Sequence, residues 1–347
     1  MTIKSSGSSL SFGEIVNEFG LPPAKNFGAY RVVQNVGSLE NLPLDTGIPQ
    51  YPQQEIRFSN FYSKQLNVVV DAYSGGATTR LNARGLYNSN IVTVIGGFIS
   101  RPANSSGKRV IINVNKLVGS AKGYLNYVAF NTGGWDASTN LELVVGPSGW
   151  ITGSGGDGGY GGFNGTGGTP GGQGSSGLGI QYPIRVNNQG VIFGGRGGGG
   201  GGGGAGGYSY GQTQKGCSQA NSNLRVGGGG GGGGAGYPAG DGGSWNGNAI
   251  GGLSAAGQFG GAGSLTGNGG GGAGAVSAYS QGCTQVAVGG AGGGGEAAGQ
   301  TSGNRFNTDG GAGPGANGYA IIIDSTGSLI SYVGNGANGF VGGGTVV

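Results

Sequence analysis

From residue 11, the order Ser-Phe-Gly-Glu-Ile-Val-Asn-Glu-Phe places Phe12, Ile15, Val16 and Phe19 at helical spacing. Ser11, with Glu14 three positions on, has the pairing of a capping box. A short amphipathic helix is predicted, ended by Gly20-Leu21-Pro22-Pro23. A second short segment around residues 27–36 leads into Pro43, Pro49 and Pro52, and then EIRFSNFYSK offers Ile56, Phe58, Phe61 and Tyr62 as further apolar anchors. Sixty residues this poor in apolar side chains do not build a core alone. Residues 1–64 are therefore expected to be a docking segment that folds against something larger.

The pattern changes after residue 64. Residues 66–73, 91–99, 110–118, 124–130 and 141–145 are runs of β-branched and aromatic residues separated by Gly, Asn and Ser, the signature of a small all-β unit. For residues 65–150 the expectation is a β-sandwich, with Val68, Val70, Val92, Val94, Ile112, Val114, Leu141 and Leu143 in its core. Beyond it, LVVGPSGWITG (143–153), RVNNQGVIFG (185–194) and IIDSTGSLIS (322–331) each read as strand, polar turn and strand, closed by Gly149, Gly190 and Gly327. These three are expected to be β-hairpins.

Composition then divides the chain in two. Of 94 glycines, 18 lie in residues 1–150 and 76 in residues 151–347, including uninterrupted runs of eight at 197–204 and 227–234. Such a stretch ordinarily reads as a flexible linker. Linkers rarely carry aromatics, however, and here Tyr208, Tyr210, Tyr237, Trp245, Phe259 and Tyr279 are interleaved with the glycines. The ordered alternative is a set of extended left-handed helices, three residues per turn, lying side by side where only glycine allows close approach. Eight glycines would then form a rod of roughly 25 Å. The hairpins and the aromatics between rods would supply the apolar burial.

Charge and chemistry narrow the function. Residues 1–150 hold 12 Lys+Arg and 8 Asp+Glu, residues 151–347 hold 5 of each, and the basic residues are scattered, unlike a nucleic-acid footprint. No leader-like apolar stretch follows Met1 and no run approaches the roughly 20 residues of a membrane span. The chain is expected to be soluble, made without a signal peptide. With no histidine there is no Ser-His-Asp or Cys-His pair, and SGKR at 106–109 lacks the Ser/Thr that a phosphate loop needs after its lysine. Two carboxylates could still serve a glycosidase, and Asp157, Asp241, Glu296 and Asp309 are available, though nothing in the sequence pairs them. The expectation is no enzyme and no cofactor. Cys217 in KGCSQ and Cys283 in QGCTQ either close a disulfide in an oxidising medium or stay as two thiols, and without histidine they make no zinc site.

The phrases SSLSFGEIVNEFG and IRFSNFYSKQLNVVVD resemble the amino-terminal segment of many tailed-bacteriophage virion proteins. VNNQGVIFGGRGGGGGGGGAGG is similar to the glycine-rich tips of phage tail proteins, among them T-even-type tail fibre adhesins and lambda-like tail-tip host-specificity proteins. The resemblance covers about the first 70 residues and most of 143–347. It implies a polyglycine-II bundle over 151–347 whose intervening loops touch a receptor on the bacterial surface, a virion location at the fibre or tail tip, and mounting on other tail subunits through residues 1–64. The long segment 1–150 departs from the adhesin pattern.

The residues support such a role in their own right. The inserts 208–225, 237–259, 275–288 and 296–309 are rich in Tyr, Trp, Ser, Asn and Gln, a paratope-like composition held on a stiff scaffold. Tyr208, Tyr210, Lys215, Tyr237, Trp245, Tyr279, Arg305 and Phe306 are the expected receptor contacts. Lys215 and Arg305 would face anionic lipopolysaccharide or an acidic loop of an outer-membrane protein. The plain alternatives are aromatics packed on the rods, solvated charges, and a purely structural virion component such as a baseplate, connector or decoration protein.

Overall fold

The computed structural model describes residues 3–21, 26–36, 39–72, 77–89, 92–94, 102–163, 166–202, 205–208, 223–244, 257–274, 276–279, 285–288, 290–295, 297 and 311–334. The chain is mainly β, with few and short helices. Three sheets share one plan. The first has the strand order Leu329–Gly334, Ile184–Asn188, Asn140–Val145, Arg109–Val114, Asn67–Asp71, Val92–Val94, and all its pairs are parallel except the last. The second orders Val191–Phe193, Trp150–Thr152, Leu117–Gly119 and Thr78–Thr79, and the third Ile321–Ile323, Ser176–Ile180, Val128–Asn131 and Leu81–Asn82, both entirely parallel. Along the chain the strands visit first, second and third sheet in turn, apart from the extra edge strand Val92–Val94 of the first sheet. The result is a three-faced prism of stacked coils.

This replaces the expected sandwich, which would need antiparallel sheets. The β runs were legible; their partners were not, because each strand pairs with the equivalent strand one coil away. The apolar pattern explains the choice. Val68 and Val70, Val110 and Ile112, and Leu141 and Leu143 point into the prism, where they meet Val118, Ile151, Phe130, Leu178 and Ile180 from the other two faces. The alternate residues Val69, Ile111 and Val144 are also buried, on the outside of the first sheet. Strands buried on both faces read as continuous hydrophobic runs, as parallel strands do. Of the remaining expected core residues, Val114 is interior, and Val92 and Val94 lie on the antiparallel edge strand.

The three expected hairpins are corners of this prism. Asn140–Val145 and Trp150–Thr152 belong to different sheets, as do Ile184–Asn188 and Val191–Phe193, and Ile321–Ile323 and Leu329–Gly334. Glycine closes these corners because coils stack tightly there: a Cβ on Gly190 would come under 3.0 Å from the carbonyl oxygen of Gly149, one coil away.

The amino-terminal segment covers the first sheet. Helix Phe12–Phe19 has the predicted box, in which the Glu14 N–H donates to Ser11 Oγ (3.3 Å) and the Ser11 N–H donates to Glu14 Oε2 (2.8 Å). Ile15, Phe19, Tyr30, Leu44 and Phe61 are fully buried with Val69, Ile111 and Val144. Lys108 and Glu18 form a buried ion pair at this seam, and Glu18 Oε1 also accepts the Leu66 N–H (2.8 Å). What residues 3–66 fold against is thus this chain's own prism.

The glycine segments continue the prism strands. Segment 153–162 prolongs Trp150–Thr152 and 194–202 prolongs Val191–Phe193; 168–175 leads into Ser176–Ile180 and 311–319 into Ile321–Ile323. The chain adds 227–236, 238–244, 257–264, 267–274 and 290–295 between them. Their hydrogen bonds repeat every third residue. Gly195, Gly198 and Gly201 donate to Ser175, Gly172 and Thr169, whereas Arg196, Gly199 and Gly202 donate to Ala235, Gly232 and Gly229, all at 2.7–2.9 Å. Segment 227–236 donates to 156–162, 290–293 and 258–264, and accepts from 199–202, 240–243 and 269–272, so that six segments surround it. Glycine is obligatory in such packing: a Cβ on Gly200 or Gly231 would fall under 3.0 Å from the carbonyl oxygen of Ala312 or Gly199.

Candidate functional site

The register of these bonds defines two ends of the lattice. At the near end, against the prism, Ser154, Ser175, Gly195, Ala235 and Gly318 are neighbours, and the Ser154 and Ser175 hydroxyls are hydrogen-bonded (3.0 Å). At the far end lie Gly162, Gly202, Gly228, Ser244, Gln258, Ala273 and Gly290. Connections at the near end are tight. The Ser264 N–H donates to Gly267 O (2.7 Å), and the turn through Tyr237 seats on the prism, with the Ser120 N–H donating to Tyr237 O (3.0 Å). At the far end one connection is also tight, the Thr166 N–H donating to Phe163 O (3.2 Å), and the others are longer. Stretches 209–222, 245–256 and 280–284 are all bounded by residues there, and 298–310 by residues of the outer half.

Two antiparallel hairpins rise from the far end. Ala205–Tyr208 pairs with Asn223–Val226, placing Tyr208 opposite Asn223, and Val276–Tyr279 pairs with Gln285–Val288, placing Tyr279 opposite Gln285. The hairpins lie against each other. Neither was among the expected hairpins, although AVSAY and QVAV about a polar centre alternate as hairpin strands do. Tyr237 departs from the expected set: it is half-buried at the near end, where a Cβ on Gly119 would collide with its carbonyl and ring. Tyr210, Lys215, Trp245, Arg305 and Phe306, as well as Cys217 and Cys283, lie outside the described residues. Tyr160 and Phe259, on outer rods, are 58% and 64% exposed.

One charged cluster marks the near end. Lys122 Nζ donates to Asp157 Oδ1 (2.7 Å) and Asp241 Oδ2 (2.8 Å), and the Asp241 N–H donates to Asp157 Oδ1 (2.8 Å). Burial alone would lower the Lys122 pKa, but the two carboxylates outweigh it and raise it. Two of the four candidate carboxylates are therefore brought together after all, on one shared ammonium; Glu296 and Asp309 lie outside the described residues. Among the described residues no group of His, Cys, Asp or Glu could hold a metal ion, and no helix is long and apolar enough to cross a membrane.

No protein-family model matches the chain, and no curated protein matches it. Among solved structures it is similar to the gp37-gp38 adhesin tip complex of the bacteriophage S16 long tail fiber, with 21% identity over 86% of this chain and 90% of that one, at a TM-score of 0.35. A TM-score of that size does not establish a shared fold. The lattice geometry, by contrast, belongs to this chain and stands without the likeness.

Proposed function

We propose that this chain is a receptor-binding adhesin of a bacteriophage tail fibre or tail tip, which recognises the bacterial surface through loops at the far end of a polyglycine-II lattice. The polyglycine-II reading is supported by the threefold repeat of the hydrogen bonds and by the six neighbours of segment 227–236. The observation that carries the function is the asymmetry of the connections. The described near-end turns are short, and the one through Tyr237 is bonded to the prism, whereas the long glycine-poor stretches are bounded by far-end or outer-half residues. Rigid scaffolds that present variable-looking loops at one face are how binding surfaces are commonly built. Tyr208, Tyr210, Lys215, Trp245, Tyr279, Arg305 and Phe306 are the proposed contacts, and Tyr237 is read as a packing residue.

The reading assigns binding and no catalysis, a virion location, and association with other tail subunits. Because Ile15, Phe19 and Phe61 are occupied by the chain's own prism, any such subunit would meet the outer surface of the amino-terminal segment. The test replaces 209–222 and 245–256 with short Gly-Ser links in the full chain. Purified wild type is expected to compete with virions for host cells, and the double replacement to lose that competition while it still assembles into particles. Unchanged competition would sink the adhesin reading. Failed assembly with no competition by wild type would favour a structural virion component.

A further inference from the structure

A second site is built on the side of the prism, away from the far-end loops. Arg80 turns the corner between Thr78–Thr79 and Leu81–Asn82 at φ 55, a left-handed conformation that a side-chain-bearing residue adopts with strain. Glycine, abundant in this chain, would turn that corner freely. The arginine there lays its guanidinium over the Tyr127 ring, with Cζ 5.2 Å from the centroid. Tyr127 in turn meets Tyr124 edge-on, at 5.0 Å and 69°.

Backbone bonds fix all three residues. The Arg80 N–H donates to Gly119 O (2.9 Å), the Tyr127 N–H to Tyr124 O (3.1 Å), and the Ser176 N–H to Tyr127 O (2.7 Å). None of the three side chains makes a hydrogen bond or ion pair among the described residues, and Tyr124 is 60% exposed. An open aromatic face thus stands beside a stacked guanidinium that has no hydrogen-bond partner among the described residues.

We propose that Tyr124, Tyr127 and Arg80 form a binding site for an acidic sugar, a pyranose that bears a carboxylate. The apolar C–H face of the ring would stack on Tyr124, whose flat ring gives area with little entropy to lose. The carboxylate would take the free edge of Arg80, because a planar guanidinium matches a carboxylate with two parallel hydrogen bonds. Stacking on Tyr127 holds that edge in place before the ligand arrives.

The test uses the full chain and methyl glucuronoside, with methyl glucoside and glutamate as comparators, read by ligand-observed NMR and calorimetry. The uronoside should bind with Kd on the order of 1 mM, the affinity class of a single-sugar site. The neutral glucoside should bind at least about 10-fold more weakly. Tyr124→Ala should abolish binding, and Arg80→Gly should remove the preference for the acid while it leaves thermal stability equal or higher, since it relieves the left-handed strain. No uronoside binding by wild type overturns the proposal, as does glutamate competing equally well, which would mean a carboxylate site with no sugar face. Neither result touches the far-end loops, so the two readings fail separately.

Discussion

The prism and the glycine lattice are continuous, since four rods are prism strands carried onward, yet they cohere by different means. A prism strand such as Arg109–Val114 has two lateral neighbours and sends Val110, Ile112 and Val114 into a shared apolar interior. Segment 227–236 has six neighbours and no side chain to bury except that of Ala235. In the first region apolar burial, about 1.5–3 kcal/mol for each large side chain, offsets the entropy of ordering the backbone. In the second, that entropy is at its greatest because the residues are glycine, and it is opposed by backbone hydrogen bonds made in every lateral direction, each worth roughly 1 kcal/mol net. Removing the side chain is what lets a segment have six neighbours instead of two.

The comparison is broken most severely by giving the lattice a side chain. Gly200→Val would push a Cβ into the carbonyl oxygen of Ala312, with only backbone around it to move. A loss above about 4 kcal/mol is expected, the range of overpacking with no room to relax. Gly270→Ala and Gly313→Ala, where a Cβ meets nothing within 4 Å, should change stability by no more than about 0.5 kcal/mol. Thermal unfolding and amide hydrogen exchange over 227–234 measure both. If the buried and the open glycines respond alike, close packing is not what holds the lattice.

Next in size is the seam between the prism and its amino-terminal cover. Glu18→Gln leaves Lys108, only 3% exposed, as a charge without its carboxylate. A loss of about 3–5 kcal/mol is expected, while Glu18→Leu with Lys108→Met should recover most of it. Denaturant melts of the single and double variants decide this. A single variant as stable as wild type would mean that water reaches the pair.

How far sequence alone reached follows the same division. The capping box at Ser11, the strand runs and the need for glycine at 197–202 and 229–234 were legible, because each depends on local chemistry: a cap, an apolar run, an absent Cβ. The sandwich and the three hairpins misread pairing. A parallel coil joins strands of successive turns, so nothing local to VVGPSGWIT distinguishes a prism corner from a hairpin turn. Buried residues on both faces, Val68 with Val69 and Ile111 with Ile112, were the available signal for parallel pairing. At the candidate site, sequence reasoning grouped Tyr237, in the insert 237–259, with the expected receptor contacts. The near-end position of that residue follows from the register of its neighbours, Gly153 and Ser120, which are distant in sequence.

The smallest effect separates the regions by acid. Asp136, in the prism, accepts hydrogen bonds from the Ser105 N–H and hydroxyl (both 2.8 Å) and from Arg84 (2.9 Å), which lower its pKa from 3.8 to about 2. A carboxylate held lower in the folded state contributes stability that is complete above the unfolded value and is lost as pH falls through the folded one. The prism should therefore lose roughly 1 kcal/mol between pH 4 and pH 2 from this group, since the pair is partly exposed and screened. Asp136→Asn should flatten that part of the curve. The buried rod 227–236 holds no titratable side chain, and its bonds join amide to carbonyl. Hydrogen exchange measured region by region as the pH is lowered tests the contrast: protection across Arg109–Val114 should fall before protection across 227–234, once intrinsic exchange rates are corrected for. Simultaneous loss would mean that the lattice depends on the prism for its order and is not held by its own backbone bonds.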